Sequence, residues 1–149
     1  METQDIRVEI ARAADQELVD AFARMLPQLS STAEALDLAA LDRILACDAN
    51  TMLIARASAG TVVGTLTLVM FPAPAGLRAR IEDVIVDHAA RGQGVAGLLI
   101  REAIRLARES GARTVDLTSR PDRAAANRLY ERQGFRQRES TVYRVPLKG

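Results

Sequence analysis

The segment IEDVIVDHAARGQGVAGLLI, residues 81–100, joins a β-branched run to a helical run through a glycine-rich turn. The β-branched half predicts a strand over residues 80–87 that carries two adjacent acids, Glu82 and Asp83. From Val95 onward the apolar residues recur at helical spacing and predict an amphipathic helix. Between the two halves lies a G-x-G-x-x-G pattern, formed by Gly92, Gly94 and Gly97. Glycines let a backbone approach a ligand closely, and the free N–H groups of a helix start favour a pyrophosphate.

On either side of this segment, hydrophobic patterns predict the remaining elements. Alternating or β-branched runs predict strands over residues 6–10, 52–55, 62–71, 114–118 and 141–147. Further helices are predicted from Asp15, where Pro27 interrupts the pattern, from near Ser31, and from Asp122, which can cap a last helix running to about Arg132. Residues 71–76 predict a loop. The predicted order is β-α-α-β-β-β-α-β-α-β, which is typical of a mixed sheet with helices on its faces.

Composition and charge exclude several classes of protein. The 149 residues are 48% hydrophobic and 26% charged, which predicts one globular domain over residues 1–149. A net charge of +1 and an aromatic content of 3% argue against nucleic-acid binding. No signal-peptide pattern or membrane-spanning apolar run is found, so we expect a cytoplasmic protein without a membrane partner. The single cysteine, Cys47, and the single histidine, His88, predict that there is no metal site.

The glycine pattern by itself also fits a dinucleotide-binding domain or a turn without any ligand. A dinucleotide-binding domain needs this turn after its first strand and further βαβ units behind it. Here four predicted strands precede the turn, and the chain that follows it is too short for those units. Topology therefore ranks the dinucleotide hypothesis last.

Two separate motifs resemble one family. Residues 81–100 resemble the acetyl-CoA-binding core of the GNAT superfamily of N-acetyltransferases, with Arg91, Gly94 and Ala96 on its Q/R-x-x-G-x-G/A signature. The segment RLYERQGF, residues 128–135, resembles the L-Y-E-x-x-G-F motif of the same superfamily. The resemblance implies the GNAT fold, an α/β (α+β) architecture. Its mixed, mostly antiparallel sheet has six to seven strands flanked by about four helices.

The resemblance also implies acetyl-CoA as co-substrate and indicates where it binds. In the family the strand carries a bulge and splays from its neighbour, which opens a cleft for the thioester. The pantetheine arm pairs with the strand backbone, the pyrophosphate with the N–H groups of the glycine turn, and the end of the facing strand lines the opposite wall. The cofactor-binding residues implied in this chain are Val84, Ile85, Val86, Arg91, Gly92, Gln93, Gly94, Val95, Ala96, Gly97, Ser119, Asn127 and Tyr130.

The implied chemistry is direct attack of an amine on the thioester in a ternary complex. A free amine is mostly protonated at neutral pH, so a base must accept its proton. Adjacent acids on a strand point to opposite faces; we favour Glu82 as the base, directly or through water, with Asp83 orienting the amine. Tyr130 is the catalytic candidate for supporting the leaving thiolate, since its family counterpart lies near the coenzyme sulfur. A solvated strand end for the acids and simple core packing for the tyrosine are the alternatives.

The acceptor is a small-molecule primary amine whose identity the sequence leaves open. The sequence I-E-D-V-I-V, residues 81–86, is similar to that of both amino-sugar-phosphate and polyamine acetyltransferases. The first class needs a positively charged substrate pocket and the second a negatively charged one. Arg120 and Arg123 favour an anionic or zwitterionic amine. Peptide or protein N-termini and a non-catalytic acyl-CoA sensor are the alternatives. A homodimer is expected by resemblance, through the strand predicted over residues 141–147.

Overall fold

The computed structural model describes residues 5–148, and the chain divides into two compact units between residues 118 and 119. The first unit contains nine elements: β1 (Arg7–Ile10), α1 (Gln16–Leu29), α2 (Leu38–Ala46), β2 (Asn50–Arg56), β3 (Val62–Ala73), β4 (Gly76–Val86), a 3-10 turn (His88–Ala90), α3 (Val95–Glu109) and β5 (Val115–Asp116). The second unit contains α4 (Ala124–Arg132). None of the helices among residues 5–148 is both long and apolar enough to cross a membrane.

The five strands form one sheet in the order of the sequence. β1 to β4 are antiparallel neighbours, whereas β5 runs parallel to β4. The predicted mixed, mostly antiparallel sheet and the four helices are confirmed. The predicted count of six to seven strands is wrong, because the part of the chain that the structure describes contains five.

The strand predicted over residues 141–147 does not form. The alternation of apolar residues there is typical of a strand, but a strand also needs a neighbour that accepts and donates its hydrogen bonds. Among residues 119–148, α4 is the one regular element, so this unit contains no strand with which the segment could pair.

The first helix begins where the sequence predicts and packs on one face of the sheet. Asp15 caps it, because its carboxylate accepts the Leu18 N–H at 2.9 Å. One side of α1 is buried against α2 and the strands, with a core that includes Leu18, Phe22, Met25, Leu41, Met52, Ile54 and Ile85. α3 packs on the other face. Thr65 on β3 pairs with the core residue Ile85, and the preceding Gly64 faces the opposite side, where a Cβ would lie 2.8 Å from Val95 Cγ1 of α3.

Two predicted helix boundaries are wrong. α1 continues past Pro27 to Leu29, because the proline removes a single backbone donor in the last turn and the Ser30 N–H still reaches the Leu26 carbonyl at 3.1 Å. α2 begins at Leu38 rather than near Ser31. Its start is fixed by Asp37, whose carboxylate accepts the Ala40 N–H at 2.7 Å.

Two further local predictions also differ from the structure. The loop predicted over residues 71–76 is shorter in the structure, because strand pairing continues to Ala73 opposite Gly76. The Arg113 guanidinium holds the turn by donating to the Ala75 carbonyl at 2.6 Å. Asp122 does not cap α4, because the residue directly before the helix is Arg123, which makes no capping bond with its side chain.

Candidate active site

The strand β4 carries a bulge at the two acids. Thr65 pairs with Ile85 and Thr67 pairs with Glu82, so two residues of β4 lie opposite the single residue between the threonines. Asp83, one of these two, has a φ of +51°, a left-handed conformation that is uncommon for residues other than glycine. The bulge implied by the resemblance is therefore confirmed, and it includes Asp83 and begins directly after Glu82.

The far edge of β4 separates from β5 just before the bulge. The two strands pair only at Ala79 with Val115 and at Arg80 with Asp116. Within residues 5–118, no strand pairs with this edge of β4 after Arg80. The backbone of residues 84–86 therefore offers an unpaired strand edge to which an extended ligand can add.

The two acids at the bulge have different surroundings. Glu82 accepts a hydrogen bond from Arg80 Nε at 3.0 Å, and the same guanidinium donates to Thr118 Oγ1 at 3.3 Å. Asp83 keeps solvent access, but crowding by protein atoms desolvates its carboxyl and raises its pKa above the ordinary value of 3.8. The negative charge of Glu82 adds to this rise in pKa.

The glycine-rich turn ends at the start of α3 with uncapped N–H groups. Gly92 and Gly94 have φ values of +80° and +78°, and no atom lies within 4 Å of where a Cβ would stand on either residue. No side chain caps the 15-residue helix α3 at Gly94. Gln93, between the glycines, holds a buried Oε1 without a hydrogen-bond partner. Open space beside uncapped N–H groups at a helix start suits a phosphate group.

Gly64 is a site-forming residue that the sequence analysis missed. A Cβ on it would lie 2.8 Å from Val95 Cγ1, 3.2 Å from Leu99 Cδ1 and 3.2 Å from the Ile85 carbonyl oxygen. The absence of a side chain thus lets the first turn of α3 pack directly on the bulged part of the sheet. The signal available in the sequence was an isolated glycine inside a strand pattern, which often marks a close approach of two elements.

In the second unit, Tyr130 lies at a well-defined helix end. The N–H groups of Gly134 and Phe135 reach back to the carbonyls of Glu131 and Tyr130, at 3.1 and 3.0 Å, in a Schellman motif. Gly134 has a φ of +102°, which this motif requires of its left-handed residue. The Phe135 ring packs edge-on to the Tyr130 ring, with centroids 6.1 Å apart. The Y-E-x-x-G-F motif is therefore a device that ends the helix and holds the tyrosine ring.

The other two predicted residues of this unit differ in their partners. Asn127 donates from Nδ2 to the Arg120 carbonyl at 3.0 Å, so this amide group already stabilises the turn before α4. Ser119 has a buried hydroxyl without a hydrogen-bond partner. The remaining predicted site residues, Glu82 to Val86 and Arg91 to Gly97, lie in the first unit.

No metal-binding cluster is present in the described part of the chain. Residues 5–148 contain no group of three or more histidine, cysteine or acidic side chains placed to hold an ion. Cys47 is exposed and forms no disulfide.

Comparison with known proteins settles the family. The family model described as the Acetyltransferase (GNAT) family matches residues 16–135, which is most of the chain. The chain therefore belongs to the GNAT acetyltransferase family. An uncharacterized N-acetyltransferase of Methanocaldococcus jannaschii is 36% identical to this GNAT protein over 61 residues, which are 41% of the chain and 27% of that relative. The chain thus matches about a quarter of the length of this curated relative.

Solved structures share the fold of this GNAT protein. An acetyltransferase described as putative from Agrobacterium tumefaciens is 26% identical, with a TM-score of 0.79, over 95% of this chain and 99% of that one. An aminoglycoside N-acetyltransferase in complex with CoA is 18% identical, with a TM-score of 0.78, over 99% of this chain and 98% of that one. The latter structure pairs this fold with bound CoA.

Proposed function

We propose that this GNAT protein transfers the acetyl group of acetyl-CoA to a primary amine of a small molecule, by direct attack in a ternary complex. The observation that carries the proposal is that β4, whose edge towards β5 is unpaired after Arg80 within residues 5–118, is followed in the chain by the uncapped start of α3. In addition, the family match covers residues 16–135. Because that match extends across residue 118, we propose that residues 1–149 act as a single acetyltransferase domain.

Acetyl-CoA is proposed to lie along this edge of β4 and at the start of α3. Its pantetheine arm would add to the backbone of Val84, Ile85 and Val86 as an extra strand, which needs extended backbone rather than particular side chains. The pyrophosphate oxygens would accept hydrogen bonds from the backbone N–H groups of residues 91–97. The open space around the left-handed glycines and the uncapped helix start support this assignment. Ser119, whose buried hydroxyl has no partner, and Asn127 are proposed as further coenzyme contacts.

In the reaction the amine loses one proton to a base, and the acetyl group passes from sulfur to nitrogen. The neutral amine attacks the thioester carbonyl carbon, a C–N bond forms, and the C–S bond breaks. Glu82, directly or through water, is proposed to accept the amine proton, with Asp83 orienting the amine. A backbone N–H of residues 84–86 would stabilise the developing oxyanion. Tyr130 would donate a hydrogen bond to the departing thiolate, which strengthens as the sulfur becomes charged.

The acceptor is proposed to be anionic or zwitterionic. Arg120 and Arg123 supply exposed positive charge in the second unit. An aminoglycoside N-acetyltransferase shares the fold, so polycationic amines belong in the same test. The two competing functions are acetylation of peptide or protein N-termini and binding of acyl-CoA without transfer. A homodimer remains a prediction from the family.

The test is release of free CoA thiol from acetyl-CoA across a panel of amines. The panel contains amino-sugar phosphates, polyamines, aminoglycosides, amino acids and short peptides, and the variants are Tyr130→Phe and its matched control Tyr143→Phe. Tyr143 is 91% exposed and lies outside the proposed site. We expect turnover with a small amine, lower kcat in Tyr130→Phe with little loss of CoA affinity, and full activity in Tyr143→Phe. Failure to bind CoA would refute the proposal. Binding without turnover of any amine would support the sensor.

A further inference from the structure

Two polar residues of α1 contact the segment that directly precedes the glycine-rich turn. Arg24 donates from Nε to Asp87 Oδ2 at 2.8 Å, and from Nη2 to the Val62 carbonyl at 2.7 Å. One helical turn later, the Gln28 Oε1 accepts the His88 N–H at 3.0 Å. We refer to Arg24, Gln28, Asp87 and His88 as the Arg24–Asp87 cluster.

Asp87 occupies the junction between β4 and the turn that follows. Its N–H donates to the Val63 carbonyl at 2.9 Å and so belongs to the sheet, whereas its Oδ1 accepts the Ala89 N–H at 3.3 Å and so starts the 3-10 turn. The residue is only 9% exposed. The Arg24 guanidinium holds the pKa of this carboxyl below its ordinary value, and the charged form is therefore the one that the contacts stabilise.

The 3-10 turn at His88–Ala90 is followed by two glycines in left-handed conformations, Gly92 and Gly94. Glycine loses more backbone freedom on ordering than any other residue. Contacts at the two ends of this segment therefore help to order it. At the C-terminal end, α3 packs on Gly64; at the N-terminal end, the Arg24–Asp87 cluster fixes residues 87 and 88 from a helix about 60 residues away.

We propose that Arg24 and Gln28 are positioning residues for acetyl-CoA. By fixing Asp87 and His88, they hold the N–H groups of residues 91–97 in the arrangement that receives the pyrophosphate. This inference rests on the proposed function, since it concerns the same coenzyme site. It assigns a coenzyme-affinity role to α1.

The proposal predicts a specific kinetic pattern. Arg24→Gln leaves the buried Asp87 carboxylate without its cation, and we expect the KM and the Kd for acetyl-CoA to rise about tenfold. At saturating acetyl-CoA, kcat should stay within about twofold of the original, because the reacting groups are untouched. Arg24→Lys keeps the charge but not the two-point contact, so its Kd should lie between the two.

The experiment measures CoA affinity by calorimetry, steady-state KM and kcat, and amide hydrogen exchange of residues 88–94. Its variants are Arg24→Gln, Arg24→Lys and Gln28→Ala, with two matched controls. Arg108→Gln replaces an exposed arginine in the last turn of α3. Gln16→Ala replaces a glutamine of α1 whose side chain donates to Asp20, one turn further along the same helix. The controls should match the unmodified protein in all three measurements.

The outcomes separate this inference from the proposed function. If the unmodified protein binds no CoA, the proposed function fails. If it binds CoA and both Arg24→Gln and Gln28→Ala bind equally well, or if kcat falls while KM stays the same, the positioning role is refuted. If Arg24→Gln does not fold, Gln28→Ala decides the matter. For Gln28→Ala, weaker CoA binding together with faster exchange of residues 88–94 supports the role, and unchanged CoA binding refutes it.

Discussion

Replacing Gly64 by alanine tests whether the close approach of α3 to the sheet builds the coenzyme site. The new Cβ would lie 2.8 Å from Val95 Cγ1 and 3.2 Å from the Ile85 carbonyl oxygen, against 3.4–4 Å for an ordinary contact. Val95 begins α3 and Ile85 follows the bulge in β4, so relief of the clash moves these two elements apart. Overpacking of this kind costs about 1 to 3 kcal/mol of unfolding free energy. We expect that loss of stability, together with weaker acetyl-CoA binding.

Urea denaturation and CoA calorimetry of a double-mutant cycle measure both effects. Val95→Ala removes the clashing methyl groups and alone should cost about 1 to 3 kcal/mol through the lost burial and the cavity. In the double variant, the new methyl group at residue 64 finds space. The combined cost should therefore fall below the sum of the two single costs by about 1 kcal/mol. Gly64→Ala with unchanged stability, or strictly additive costs, would refute the packing argument.

Two further predictions concern the helix end that holds Tyr130 and the charge at the end of β4. Gly134→Ala should cost about 1 to 2 kcal/mol in urea denaturation, because alanine is strained at a left-handed φ. Gly134→Asn should recover part of that cost, since asparagine tolerates this conformation, and equal stability of both variants would contradict the assigned motif. The folded-state pKa of Asp87 is depressed, so its contribution to stability is complete above its ordinary pKa of 3.8 and disappears as the pH falls through the lower folded value. Asp87→Asn should remove this component from the unfolding free energy measured between pH 7 and pH 2, and an unchanged pH dependence would show that the ion pair with Arg24 contributes nothing.

Local sequence patterns determined the order of nine of the ten predicted strands and helices. Residue periodicity distinguishes strands from helices because it depends only on near neighbours in the chain. The same holds for the cap at Asp15, for the glycine turn at residues 92–97 and for the Y-E-x-x-G-F motif at Tyr130. Local patterns failed where a partner was required: residues 141–147 alternate like a strand, but a strand forms only when another strand pairs with it.

The geometry of the candidate site was decided by the tertiary structure. The bulge at Asp83 is a mismatch in register between β3 and β4, and the free edge of β4 exists because β5 pairs at two positions only. The sequence showed two acids on a strand, but it did not indicate how β4 is aligned with β3 or with β5. Gly64 and Arg24 escaped the sequence analysis for the same reason. Their partners, Val95 and Asp87, lie far away in the chain. A local pattern such as the isolated glycine at position 64 indicates a close approach but not which element packs there.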